Sequence, residues 1–144
     1  MTNKPLSQGS WYLLFFAWIV SLVATAGSLF LSDVLGFPPC TMCWYQRICM
    51  YPLLFILIVG LLRKDKASIY YSAPILIIGW LWSFYHTLLI FDIIKEDMTP
   101  CSMGVPCSVK YLNWFGFIDI PLLALVAFTI IAITFILILK KEKN

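Results

Sequence analysis

The stretch WYLLFFAWIVSLVATAGSLFL, from Trp11 to Leu31, carries no charged residue. As a helix rising about 1.5 Å per residue it is long enough to cross a hydrocarbon core about 30 Å thick. Three further stretches have the same apolar character: Trp44–Leu62, Ile69–Phe91 and Ile120–Leu139. Backbone groups in lipid must bond within the segment, and none of the four alternates polar and apolar residues as a barrel strand does, so each is predicted to be a helix. The expected fold class is all-α, an integral membrane bundle of four transmembrane helices forming a single domain over residues 1–144. Trp11, Tyr12, Trp44, Tyr45, Tyr70, Tyr71 and Trp114 fall near the ends of these stretches, where amphipathic rings favour the membrane–water boundary.

Composition agrees with a lipid solvent. Of the 144 residues, 62% are hydrophobic and 12% charged, against about half and about a quarter in soluble domains. The net charge of +3 does not point to nucleic acid, because the basic residues cluster beside apolar stretches instead of forming a polar face. Those clusters predict orientation, since Lys and Arg are retained on the cytoplasmic side. Lys4, then Arg63, Lys64 and Lys66, then Lys140, Lys141 and Lys143 share one side, whereas only Lys95 and Lys110 fall in the opposite loops. Both termini are therefore expected to be cytoplasmic, and loops 32–43 and 92–119 extracytoplasmic. Ala24-Thr25-Ala26 resembles a signal-peptidase site, but the apolar stretch runs on to Leu31, so the segment is expected to stay as the first helix.

Four of the five cysteines fall in those outer loops as two close pairs, which suits an oxidising compartment. In Phe37-Pro38-Pro39-Cys40-Thr41-Met42-Cys43-Trp44 a CxxC stands where loop becomes helix. A thiolate there is stabilised by the helix dipole and unpaired N–H groups, and Cys43, one turn in, is expected to benefit most. The two prolines restrict the approach of the chain. A lone CxxC is a weak signal, because half of a zinc site reads the same. The second pair, Cys101 and Cys107, brackets Ser102-Met103-Gly104-Val105-Pro106 and can close a small loop as a structural staple or a redox pair. Two pairs facing one compartment can exchange partners and form a relay.

Arg47 is costly within a membrane helix unless it snorkels or finds a partner. Four residues after Cys43, it shares that face about 6 Å deeper, where it can stabilise a thiolate or bond a developing anion on an acceptor. Gln46 adds a polar group at the same depth. His86, the only histidine, is either a satisfied structural residue or a proton or hydrogen-bond donor. Cys49 has no partner in sequence and reads as core filler.

Cys40-Thr41-Met42-Cys43-Trp44-Tyr45-Gln46-Arg47 resembles the CxxC-x-x-Gln-Arg signature of the DsbB/BdbC family of membrane quinone:thiol oxidoreductases. The likeness extends to the His86-Thr87 pair, the cysteine pair before the last helix and Asp119-Ile120-Pro121 at its start. The CxxC precedes the loop pair, unlike the usual order in the vitamin K epoxide reductase family. The resemblance implies a bacterial plasma-membrane enzyme that reoxidises an extracytoplasmic thioredoxin-fold, DsbA-like (BdbD-like) thiol oxidase and passes electrons to a membrane quinone, menaquinone or ubiquinone. It implies catalytic roles for all four paired cysteines: Cys101 attacked by the partner, Cys107 exchanging with Cys40, and Cys43 engaging the quinone. Arg47, His86 and Gln46 are implied at the quinone. No metal and no nucleic acid are expected. Only five residues separate Cys101 from Cys107, as in the short Gram-positive BdbC type. The competing readings are a four-cysteine zinc or copper site and a scaffold whose disulfides only staple loops.

Overall fold

The structure is a computed structural model that describes residues 5–91, 93 and 120–143. Cys101, Cys107, Lys4, Lys95, Lys110, Trp114 and Asp119 lie outside the described residues. Four helices are present: α1 (Gln8–Leu29, extended by a π-helical turn over Phe30–Val34), α2 (Thr41–Arg63), α3 (Ala67–Ile90) and α4 (Ile120–Lys143). All four are long and apolar enough to cross a membrane. The bundle is therefore all-α, as expected, and among the described residues there is no strand.

The helices outrun the apolar stretches for identifiable reasons. The Ser7 hydroxyl accepts the Ser10 N–H and caps α1, so polar Gln8, Gly9 and Ser10 are already helical. Cys40 caps α2 in the same way, three residues or one turn ahead of the expected start. Asp65 Oδ1 accepts the Ala67 N–H at 2.8 Å at the start of α3. Lys140, Lys141 and Lys143 are good helix formers and carry α4 beyond the apolar stretch. After the π turn, Gly36 supplies a φ of 69° that lets the chain leave α1 and run through Phe37-Pro38-Pro39 to the CxxC.

Each helix packs on its two neighbours in a ring, α1 on α2, α2 on α3, α3 on α4 and α4 on α1. Leu14, Leu53, Leu57, Phe128, Ile131 and Ile138 fill the centre, while Phe16, Val23, Phe55, Leu62 and Ile77 face outward. In water such an exterior would be unstable; in lipid tails it is solvated. With no hydrophobic force between helices in lipid, close backbone approach and polar ties matter more. Gly79 of α3 lies where any side chain would strike the Phe128 ring of α4 and Cβ of Cys49 of α2. At the end holding Arg63, Lys64, Lys66 and Lys140, Glu142 Oε1 accepts the Ser7 N–H at 3.1 Å and the Ser10 hydroxyl at 2.6 Å. There too the Trp11 indole N–H donates to the Leu61 carbonyl at 3.2 Å and the Leu6 N–H to the Lys64 carbonyl at 3.0 Å. Near mid-bundle, the Trp80 indole N–H donates to the Thr129 hydroxyl at 3.0 Å. The CxxC stands at the opposite end from the basic residues.

Candidate active site

Because α2 begins at Thr41, Cys40 is its N-cap residue and Cys43 occupies the third helical position. The sequence reading gave the helix-start advantage chiefly to Cys43. Instead, Cys40 Sγ receives the cap bond, from the Cys43 N–H at 3.3 Å. The reason is geometric: at a helix start the unpaired N–H groups point back toward the cap residue, and the N-cap side chain is placed to accept them.

Cys40 is buried and Cys43 half-buried, with their sulfurs 2.8 Å apart. From α3, His86 Nε2 approaches Cys40 Sγ at 3.8 Å, and its other nitrogen, Nδ1, lies 3.0 Å from the Gln46 side-chain nitrogen. An amide nitrogen only donates, so Nδ1 accepts, and the ring proton of a neutral imidazole sits on Nε2, facing Cys40. The Cys43 thiol, and after it the His86 imidazole and the Cys43 N–H, outweigh burial and lower the Cys40 thiol from 9.0 to about 4. Tyr45, Trp82 and Tyr85 pack around Cys40, Met42 and Leu89 and close this side of the site.

The other side of α2 borders a cavity of about 490 Å³ between α1, α2, α4 and the Phe37-Pro38-Pro39 segment. From α2 its wall is Cys43, Gln46, Arg47, Met50 and Tyr51, the spacing of one helical stripe. From α1 and α4 it is mainly apolar, with Val20, Ala24, Leu31, Leu123, Ala127 and Phe128 among the lining residues. Arg47 does not snorkel outward without a partner. Its Nε donates to the Ser28 hydroxyl and its terminal nitrogen to the Ser28 carbonyl, both at 2.8 Å, and its guanidinium lies 5.5 Å from the Trp44 ring.

The structure thus brings Cys40, Cys43, Gln46, Arg47 and His86 together but sorts them. Cys43, Gln46 and Arg47 reach the cavity, whereas His86 is not among its lining residues and stands behind Cys40. Ser28 was not legible in sequence: a serine in an apolar run usually bonds its own helix, and only the α1–α2 contact gives it a role. Cys49 is buried against Gly79, in keeping with its reading as core filler. Cys40, Cys43 and His86 also place three potential metal-ligand atoms within 4.8 Å of one another.

Residues 9–138 match the family profile of Disulfide bond formation protein DsbB. The chain belongs to the DsbB family. It is 47% identical over 131 residues to Disulfide bond formation protein C of Bacillus subtilis (strain 168), covering 91% of this chain and 94% of that protein. It is 45% identical over 143 residues to a probable disulfide formation protein of Oceanobacillus iheyensis, covering 96% and 97%. A probable disulfide formation protein of Metapseudomonas resinovorans is 40% identical over 140 residues. No solved structure matches the chain significantly. As a DsbB-family member the chain is a multi-pass membrane protein of disulfide bond formation, a thiol–disulfide oxidoreductase. The cap-held pair Cys40 and Cys43 is chemically suited to that exchange.

Proposed function

We propose that the chain is a quinone-dependent protein-disulfide oxidoreductase that reoxidises an extracytoplasmic thioredoxin-fold thiol oxidase. The observation that carries this reading is the placement of Cys43 on the wall of an apolar cavity, on the same helical stripe as a tethered Arg47, while Cys40 is held on the other side by His86. The cavity suits a quinone: apolar walls for ring and tail, and guanidinium donors for a carbonyl oxygen. Arg47 would hold it, with Cys43 beside it.

The chain's own steps follow thiol–disulfide exchange. The partner's thiolate attacks Cys101 of the Cys101–Cys107 disulfide, and Cys107 leaves as thiolate. Cys107 attacks Cys40 of the Cys40–Cys43 disulfide, forming Cys40–Cys107 and releasing Cys43 as thiolate toward the cavity, where Arg47 offsets its charge. The partner's second thiol resolves the mixed disulfide, and the freed Cys101 attacks Cys107. Cys40 then leaves as a thiolate that accepts the Cys43 N–H and faces the His86 Nε2 proton. A bound quinone supplies the acceptor for the two electrons given up when Cys40 and Cys43 rejoin, and for two protons.

In this reading the basic end is cytoplasmic, the CxxC end is extracytoplasmic, and the bilayer is a bacterial plasma membrane. The test is anaerobic mixing of the purified chain with a reduced thioredoxin-fold oxidase and a soluble quinone analogue, followed by quinone absorbance. Quinone loss is expected with the wild-type chain and none with Cys43→Ala; turnover retained in Cys43→Ala contradicts the assignment. The cluster of Cys40, Cys43 and His86 favours a second reading, a soft-metal site. Stoichiometric metal on the purified reduced chain, without quinone turnover, would select it.

A further inference from the structure

Thiol–disulfide exchange needs the sulfurs of Cys40 and Cys43, yet a third soft donor stands with them. The two sulfurs, on α2 and its cap, and the His86 imidazole, on α3, lie within 4.8 Å of one another. With metal–sulfur bonds of about 2.3 Å and metal–nitrogen bonds of about 2.0 Å, a three-coordinate ion sets each sulfur about 3.7 Å from the nitrogen and the two sulfurs about 4 Å apart. Cys40 Sγ and His86 Nε2 already stand 3.8 Å apart. The sulfurs are too close, at 2.8 Å, so one of them must give by about 1 Å. Cys43 has the room: it is half-buried and borders the cavity, whereas Cys40 is buried among Tyr45, Trp82 and Tyr85.

An imidazole binds a metal only through an unprotonated nitrogen. His86 Nε2 carries the ring proton while Gln46 donates to Nδ1, so metal binding requires that proton to move to Nδ1 and the Gln46 amide to turn its oxygen toward it. Among the described residues the Gln46 amide bonds only His86, so the turn breaks no other hydrogen bond. The donor set then selects the ion. Among the described residues the group holds no fourth His, Cys, Asp or Glu ligand. Zinc prefers four ligands, whereas cuprous copper is soft, suits thiolate and imidazole, and is satisfied by three. Two thiolates on a monovalent ion leave one negative charge, which sits at the N-terminus of α2 with Arg47 on the Cys43 stripe.

We infer that Cys40, Cys43 and His86 of the reduced chain bind one cuprous ion, which blocks the enzyme reversibly. Two sulfur–copper bonds and one nitrogen–copper bond form, any remaining thiol proton is released to solvent, the ring proton moves from Nε2 to Nδ1, and no electron is transferred. With both sulfurs ligated, Cys40 and Cys43 cannot close their disulfide, so the chain is held reduced. When the disulfide is closed the two sulfurs bond each other and the site is gone. The inference goes beyond the quinone reading and does not rest on it, since it needs only the thiol chemistry of the family. It also differs from the soft-metal reading above, because here the metal-free chain is the working form.

The test uses the full-length chain in detergent, with Cys101→Ala and Cys107→Ala so that the loop thiols supply no ligand, titrated anaerobically with cuprous copper against a chromogenic cuprous chelator. One equivalent is expected on the reduced chain and none on the chain with the Cys40–Cys43 disulfide, in which Cys49 is still a thiol. Cuprous copper is diamagnetic, and nitrogen NMR of the loaded chain should show the His86 proton on Nδ1, opposite to the metal-free tautomer. Gln46→Leu removes the acceptor for that proton and should weaken copper binding about 10- to 100-fold, the range for loss of an outer-shell partner. Gln46→Glu is a stronger acceptor and should tighten binding, a change that a folding defect would not imitate. In the wild-type chain, one equivalent of copper should stop turnover with the quinone analogue and the chelator should restore it. Copper held equally by the oxidised chain, unchanged affinity in His86→Ala, or zinc displacing copper from the group would overturn the inference. So would copper binding that is present in the wild-type chain and lost with the loop cysteines, which would select a four-cysteine site. Absence of turnover in the metal-free wild-type chain would overturn the quinone reading instead, and the binding results would still decide the copper site.

Discussion

Truncating Arg47 separates its function from its cost. The guanidinium has five N–H donors in a rigid fork, and its two bonds to Ser28 commit one on Nε and one on a terminal nitrogen. Three donors remain for other partners at the cavity wall, on a group fixed before any ligand arrives. A hydrogen bond from a charged donor contributes about 1.5–3 kcal/mol, and about 1.4 kcal/mol is tenfold in affinity, so Arg47→Ala should raise the quinone KM about 10- to 100-fold. Arg47→Lys keeps the charge but not the fork, and one ammonium cannot hold both Ser28 atoms and face the cavity, so an intermediate value is expected. Ser28→Ala loses the hydroxyl but keeps the carbonyl and should raise KM by only about two- to fivefold, within the range of one modest hydrogen bond. The assay is anaerobic turnover with saturating reduced thiol partner and varied quinone analogue. A KM within twofold of wild type in Arg47→Ala would refute the assignment and leave Arg47 as a strut between α1 and α2.

Three further outcomes are expected. Between about 4 and 9.0 the folded Cys40 is a thiolate and the unfolded one a thiol, so the unfolded state binds the extra proton. Stability of the reduced protein should then rise with pH across that window and fall as pH drops toward 4; a Cys40→Ser protein with the same pH slope would exclude this. Nitrogen NMR of protein labelled at its only histidine should show the neutral imidazole as the Nε2–H tautomer, and the Nδ1–H tautomer would mean that Gln46 presents its oxygen. Gly79→Ala would place a methyl 2.6 Å from the Phe128 ring and 2.9 Å from Cys49 Cβ, and should cost about 1–3 kcal/mol as overpacking, read as a lowered unfolding midpoint. Gly27→Ala, with nothing within 4 Å of the new methyl, is the control that should show no such loss.

The fold was legible because lipid imposes a length and a composition that four stretches satisfy, and their helical state follows from backbone hydrogen bonding alone. The ends were less legible, since Ser7, Cys40 and Asp65 act through side-chain oxygens or sulfur on N–H groups outside the apolar stretches. At the site, the placement of Arg47 on the face of Cys43, with Gln46 at the same depth, was calculable from helical spacing, whereas Tyr51, one turn further on the same stripe, was not singled out. What lay across from it was not: Ser28 opposite Arg47, and His86 behind Cys40 in place of the cavity wall, depend on the rotation of α1 and α3 about their axes. That rotation is set by packing at residues such as Gly79 and Phe128, which no single helix encodes.

The polar ties of α4 carry a kinetic consequence. Among the described residues its bonds to other helices are those of Glu142 at the basic end and Thr129 near mid-bundle, while Ile120, Leu123 and Ala124 meet the cavity through apolar contact alone. Swinging that end outward exchanges hydrocarbon neighbours for lipid tails of the same chemistry and breaks no hydrogen bond in the described set. In the quinone reading proposed here, an isoprenoid-tailed acceptor would enter from the bilayer beside that end of α4, and its exchange would not require opening the thiols to water.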